Sequence, residues 1–192
     1  MRLRLAKALL VVLVLGLGTA SAGPVPARQA VAAPAQEGLR QPDVIYVPTR
    51  QSVVDAMLKV ANVKAGDVLY DLGCGDGRIP VTAARKYGAR GICFDIDPER
   101  IKEATENVAK NNVGNLVRVV HADLFEQDLS GASVITLYLL PSLNVKLMPK
   151  LMKECKPGTR IVSHAFDMGD WKPEKELDVD GRKVYYWTIP KR

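Results

Sequence analysis

Histidine and cysteine are scarce, with two His and three Cys in 192 residues. His121 and His164 lie far apart inside apolar runs, so packing at strand ends is a better reading than a metal set. Cys74, Cys93 and Cys155 are odd in number, widely spaced and never C-x-x-C, and neither a disulfide framework nor a zinc site follows from them. Aromatics make up only 6% of the chain, and no basic run interleaved with aromatics occurs, which argues against a nucleic-acid partner. The net charge of +6 does not restore that case, because Arg2, Arg4 and Lys7 carry half of it in a stretch without acids. The remaining 24 basic and 21 acidic side chains nearly balance. Mixed-sign stretches such as Glu99, Arg100, Lys102 and Glu103 read as solvated helix surface. No internal repeat is found.

What is present starts with a segment unlike the rest. "MRLRLAK" is a positive leader, "ALLVVLVLGLG" an apolar run, and Ala20 to Ala22 a small-residue cleavage site before Gly23. These are the three parts of a secretory signal in order. The uncharged stretch from Ala8 to Ala27 is 20 residues and is broken by Gly16, Gly18, Gly23, Pro24 and Pro26. That is marginal for a membrane span, so an uncleaved anchor is the alternative, and an organelle address is weaker because the segment is not amphipathic. Residues 1–22 thus read as signal peptide or membrane anchor, and 23–42 as a Pro/Ala-rich linker. Residues 43–192 read as one compact domain.

Within that domain strand and helix patterns alternate. "DVLYDL", "GICFDI", "LVRVVHAD", "SVITLYLL" and "TRIVSHAF" are apolar strands. Between them run helical stretches, one ending at Gly88, one opening at Asp97-Pro98 and one starting at Pro141-Ser142. "KELDVDGRKVYYWTI" is two alternating runs around Asp180-Gly181, a hairpin signal. The expected fold is α/β: a Rossmann-like, doubly wound, mostly parallel seven-stranded sheet with a C-terminal antiparallel hairpin. Such a sheet binds its ligand at the carboxyl ends of the strands, where the strand order reverses.

The stretch "YDLGCGDGR", residues 70–78, follows the first strand and so falls at that crevice. Gly73, Gly75 and Gly77 let backbone adopt positive φ and approach a ligand closely. The helix start behind them suits an anion. Asp71 would favour a cationic group there. Asp95, at the end of the second strand, can accept hydrogen bonds from a ribose diol. Asp123, beside Leu124, can accept from a purine amino group. A dinucleotide pyrophosphate calls for G-x-G-x-x-G, whereas here the spacing is G-x-G-x-G and Arg78 follows the third glycine. The loop suits an amino-acid-bearing nucleoside better.

These residues resemble the class I (seven-β-strand) S-adenosylmethionine-dependent methyltransferases. "DLGCGDGR" is similar to their first motif, "FDID" to their ribose-binding strand end and "HADL" to their adenine-contacting strand end. A narrower resemblance is to the small protein-lysine methyltransferases of the ATP synthase c-subunit and adenine nucleotide translocase group. It rests on Tyr46-Val47-Pro48-Thr49, on Leu139-Leu140-Pro141-Ser142 and on Pro157 to Ser163.

The resemblance implies S-adenosyl-L-methionine bound by Asp71, Gly73, Gly75, Gly77, Asp95, Asp123 and Leu124. It implies a protein substrate, with membrane proteins included. Tyr138, by its place near the end of the fourth strand, and Tyr46 are the candidates to orient the acceptor, with core packing as the plainer reading of Tyr138. The chain departs from methyltransferases of amides and exocyclic amines, which carry Asn/Asp-Pro-Pro-aromatic where Tyr138-Leu139-Leu140-Pro141 stands. A small-molecule acceptor, a nicotinamide-dependent oxidoreductase and a nucleoside-binding protein without catalysis remain as rival readings. The leader implies export or membrane anchoring, either of which sets the domain apart from the usual cytoplasmic pool of this cofactor.

Overall fold

A computed structural model describes residues 38–191. The signal or anchor reading of residues 1–22, and most of the linker 23–42, lie outside the described residues.

Seven strands form one sheet: β1 (Val68–Leu72), β2 (Arg90–Asp95), β3 (Val117–His121), β4 (Val134–Leu137), β5 (Arg160–His164), β6 (Lys175–Val179) and β7 (Arg182–Thr188), in the order β3-β2-β1-β4-β5-β7-β6. The neighbours from β3 through β5 are parallel, and β7 runs antiparallel between β5 and β6. The helices are α1 (Gln51–Val60), α2 (Arg78–Tyr87), α3 (Pro98–Lys110) and α4 (Pro141–Glu154), with a short 3-10 turn at Leu124–Glu126.

Local chemistry sets the helix limits. Gly88 closes α2 in the left-handed region at φ +68°. Asp97 caps α3 by accepting from the Glu99 N–H at 2.8 Å, with Pro98 pre-set in the first turn. In the hairpin, Asp180 and Gly181 both have positive φ, 52° and 73°, as a type I′ turn requires. The hairpin is the expected one: β7 is an interior strand with Trp187 fully buried beside Ile161, and only β6 is an edge. Lys175, Glu176 and Asp178 keep that edge charged. Strand β4 stops at Leu137 rather than 140, where its pairing with β1 and β5 ends, and Leu140 before Pro141 stays extended at φ −64°, ψ 153°.

Both faces of the sheet are covered. Val54 and Leu58 of α1 and Ile79 and Ala83 of α2 pack with Leu69, Val134 and Val162. On the other face Leu147 and Leu151 of α4 pack with Leu72, Ile135, Leu137 and Ile161. Burial on both faces is why these strands read as continuous apolar runs. The chain leaves β1 toward β2 and β3, then returns to β4 on the other side of β1. This reversal opens a crevice at the carboxyl ends of β1 and β4.

Candidate active site

The glycine loop lies in that crevice, and each glycine is required by a different neighbour. Gly73, Gly75 and Gly77 have φ of 78°, 55° and 72°. A Cβ on Gly73 would stand 2.9 Å from Leu139 Cδ2, one on Gly75 would overlap the Tyr46 ring at Cε2, and one on Gly77 would stand 3.1 Å from Ala104 Cβ. The α2 start is not left bare for an anion. Asp76 accepts from the Arg78 N–H at 3.2 Å, and the Arg78 guanidinium closes on the same carboxylate with Nη2–Oδ2 at 2.6 Å. Burial alone would raise the Asp76 carboxyl, but Arg78 outweighs it and holds it below the usual range.

Asp71 is buried at the end of β1. Its Oδ1 accepts from Thr136 Oγ1 at 2.7 Å, while its buried Oδ2 has no hydrogen-bond partner among the described residues. Burial pushes this carboxyl up to about 7, against the Thr136 hydrogen bond, with Asp95 and Asp76 adding to the rise. A carboxylate that the fold leaves without a cation suits the ammonium of an amino-acid-bearing ligand. Asp95 accepts from the Gly75 N–H at 2.8 Å and the Asp97 N–H at 3.0 Å. Burial raises its carboxyl although these N–H groups oppose the rise. With Ile96 as a third backbone donor, the Asp95 carboxylate still has acceptor capacity left for a ribose hydroxyl. Asp123 accepts from the Phe125 N–H at 2.9 Å, starting the 3-10 turn, and Leu124 beside it lines the same cleft.

Residues 40–49 run along the mouth, so the end of the linker stretch contributes to the site. Arg40 grips Asp123 with Nε–Oδ2 at 2.6 Å and Nη2–Oδ1 at 3.2 Å, and also pairs with Asp43. Burial would raise Asp123, but Arg40 and the Phe125 N–H hold it below the usual range. The Tyr46 ring lies on Gly75, with the Arg100 guanidinium 4.6 Å from its centroid. Burial and the nearby Asp76 charge raise its phenol. Tyr138 follows β4 and lines the cleft with Leu139, Leu143 and Val47. The cleft opens to solvent.

The candidate cofactor and acceptor residues all line this cleft except Gly77, which sits behind it against Ala104, and Leu140, Pro141 and Ser142 are not among the lining residues. Tyr46 and Tyr138 take separate places, one on the glycine loop and one stacked on His164 with centroids 3.8 Å apart. Sequence reasoning gave no role to Arg40, Arg78, Arg100 or Thr49, while His164 is the packed strand-end residue expected, closing β5 at 3% exposure. Only Arg78 and Arg100, as basic residues beside Asp76 and Asp97, carried a local signal.

The cysteine reading is corrected. Cys74 and Cys93 form a disulfide with Cα atoms 5.3 Å apart, within the span a disulfide bridges. Cys93 lies on β2 opposite Asp71, and the turn after β1 swings Cys74 back over it. A sequence separation of 19 therefore hides a contact between neighbouring strand ends. His121, by contrast, is the packed strand-end residue expected, its Nε2 2.9 Å from the Ile96 carbonyl.

Residues 71–175 match the ANTKMT methyltransferase domain. A protein-lysine N-methyltransferase from Saccharolobus islandicus is 46% identical over 77% of this chain and 95% of its own. The Xenopus laevis lysine N-methyltransferase of the ATP synthase c-subunit is 28% identical, covering 79% of this chain and 67% of its own. Among solved structures, an RNA methyltransferase from Salinibacter ruber in complex with S-adenosyl-L-homocysteine is 53% identical with a TM-score of 0.75. It covers 76% of this chain and 95% of its own.

Proposed function

The chain belongs to the ANTKMT methyltransferase domain family and is an S-adenosylmethionine-dependent methyltransferase, and from that premise we propose that its acceptor is the side-chain amine of a lysine in a protein. One observation carries the choice of acceptor. The cations that line the cleft, Arg40, Arg78 and Arg100, are each matched by an acid: Asp123, Asp76 and Glu103. A phosphate backbone would find no unmatched cation among these lining residues, while the acceptor end, at Ile45, Val47, Pro48, Leu139 and Leu143, is apolar.

S-adenosylmethionine, when bound, supplies a methyl group made electrophilic by its sulfonium. Asp71 would hold its ammonium, Asp95 its ribose, and Asp123 with Leu124 its adenine. The residues toward the acceptor have a different task. A lysine has a pKa of about 10.4 in water and must lose a proton before it has a lone pair to give. Apolar surroundings favour the neutral amine by desolvating the ammonium, and Leu139, Leu143 and Val47, which line the cleft, supply them. The Tyr138 hydroxyl can accept from or donate to the amine and so aim its lone pair. Tyr46, packed on Gly75, closes the cofactor side of the same mouth.

The Salinibacter ruber protein makes RNA the second acceptor class to test. Purified enzyme with methyl-labelled cofactor should label protein in cell membrane or soluble fractions, and the label should survive nuclease and yield to protease. Label removed by nuclease would overturn the acceptor while leaving the methyltransferase activity standing.

The leader supports a further part of the reading: residues 1–22 export the domain or anchor it at a membrane, where a membrane protein would be within reach. Arg2, Arg4 and Lys7 before an apolar run and Ala20 to Ala22 behind it are the support. Fractionation with amino-terminal sequencing should find the protein exported or membrane-bound. Full-length protein in the soluble cytoplasm would contradict it.

A further inference from the structure

We propose that His164 is a positioning residue for methyl transfer, holding the Tyr138 ring and the entry to α1 in one arrangement at the acceptor side of the cleft. The inference rests on the reading of Tyr138 as the group that orients the acceptor. His164 ends β5, is only 3% exposed and does not itself line the cleft. Its two neighbours do. The imidazole lies against the Tyr138 ring at 3.8 Å between centroids and 35° between planes. Its Nδ1 is 3.1 Å from Thr49 Oγ1, and Thr49 is itself buried just before α1.

Thr49 leads onward to the glycine loop. Its carbonyl accepts from Arg78 Nη1 at 2.8 Å, and Arg78 is bound to Asp76. One side chain therefore touches the end of β4, the mouth segment and, through Thr49, the polar contacts around the cofactor loop. These three regions come from distant parts of the chain, and His164 is the only residue among those described that hydrogen-bonds Thr49 Oγ1 while stacking on Tyr138.

The ring chemistry fits positioning rather than proton transfer. The Nε2 atom is buried and has no hydrogen-bond partner among the described residues. A bare acceptor is tolerated better than a bare N–H, which favours Nδ1–H donating to Thr49 Oγ1. Burial and the Arg182 charge hold the ring's pKa down at about 4, so the imidazole stacked on Tyr138 is neutral. A side chain needed only to fill space would be better served by Phe or Leu, which leave no polar atom unpaired.

The test compares the full chain with His164→Phe, which keeps the stack and loses the hydrogen bond, with Thr49→Val, which loses it from the other end, and with the double variant. Labelled S-adenosylmethionine and the cell protein fraction that accepts label give kcat and KM, and titration with S-adenosylhomocysteine gives cofactor affinity. Each single variant should lower kcat about 5- to 10-fold with cofactor Kd within about twofold, and the double should fall no further than the worse single. Losses that multiply in the double, an unchanged kcat, or a Kd that weakens in step with kcat would each overturn the proposal. If His164→Phe does not fold, Thr49→Val alone decides, since an unchanged kcat there removes the link. Tyr138→Phe separates the two readings. If it slows transfer while the His164 and Thr49 variants do not, only the positioning role falls; if it leaves transfer unchanged, the role of Tyr138 falls and the route for His164 with it.

Discussion

Asp71 shows how one side chain can cost the fold something and serve the site. Its buried Oδ2 lacks a partner and its carboxyl is raised from 3.8 to about 7. A group that binds its proton more tightly folded than unfolded stabilises the fold most at low pH. That contribution fades as pH rises from about 4 through about 7. The difference is worth on the order of 4 kcal/mol. Asp71→Asn keeps the shape and can still accept from Thr136, so the cofactor-free variant should unfold at a higher temperature than the parent at pH 8. The gap should narrow as pH falls through about 7 and close only at about pH 3, below the unfolded pKa. The same variant should lose most of its affinity for S-adenosylhomocysteine, because the ammonium loses its counter-charge. Equal melting at pH 8, or intact binding, would contradict this account.

At the scale of elements, the segment 40–49 is fastened at three points: Arg40 on Asp123, Tyr46 on Gly75, and Thr49 on His164 and Arg78. The first fastening competes with the ligand, because Arg40 takes one acceptor position on each Asp123 oxygen and the Phe125 N–H takes a second on Oδ1. Arg40 is well exposed, so the pair should add no more than about 1 kcal/mol to stability. Arg40→Ala should leave the melting temperature nearly unchanged and tighten S-adenosylhomocysteine binding a few-fold, as read by calorimetry. Weaker binding would instead make Arg40 part of the nucleoside contact.

For the whole molecule, the doubly wound sheet was legible because its strands are buried on both faces and its helices start and stop at local signals, Asp97-Pro98 and Gly88. The nucleoside side of the cleft was legible for the same reason: Asp71, Asp95 and Asp123 stand at strand ends, where topology alone brings them together. What escaped were contacts made by folding over long separations. Arg40 reaches Asp123 across 83 positions and Thr49 reaches His164 across 115, and no periodicity or spacing reports either. The disulfide was missed because 19 residues is the length of a strand–helix–strand crossover, not of a recognisable cysteine motif.

The central claim, methyl transfer to a protein lysine, is tested most directly by the chemical identity of the product. Labelled protein from the reaction with purified enzyme, digested and sequenced by tandem mass spectrometry, should carry the methyl group on lysine side-chain nitrogen at few sites. The label should be absent with Asp71→Asn. Methyl groups on arginine, glutamine or a carboxyl oxygen, or on nucleotides alone, would contradict it.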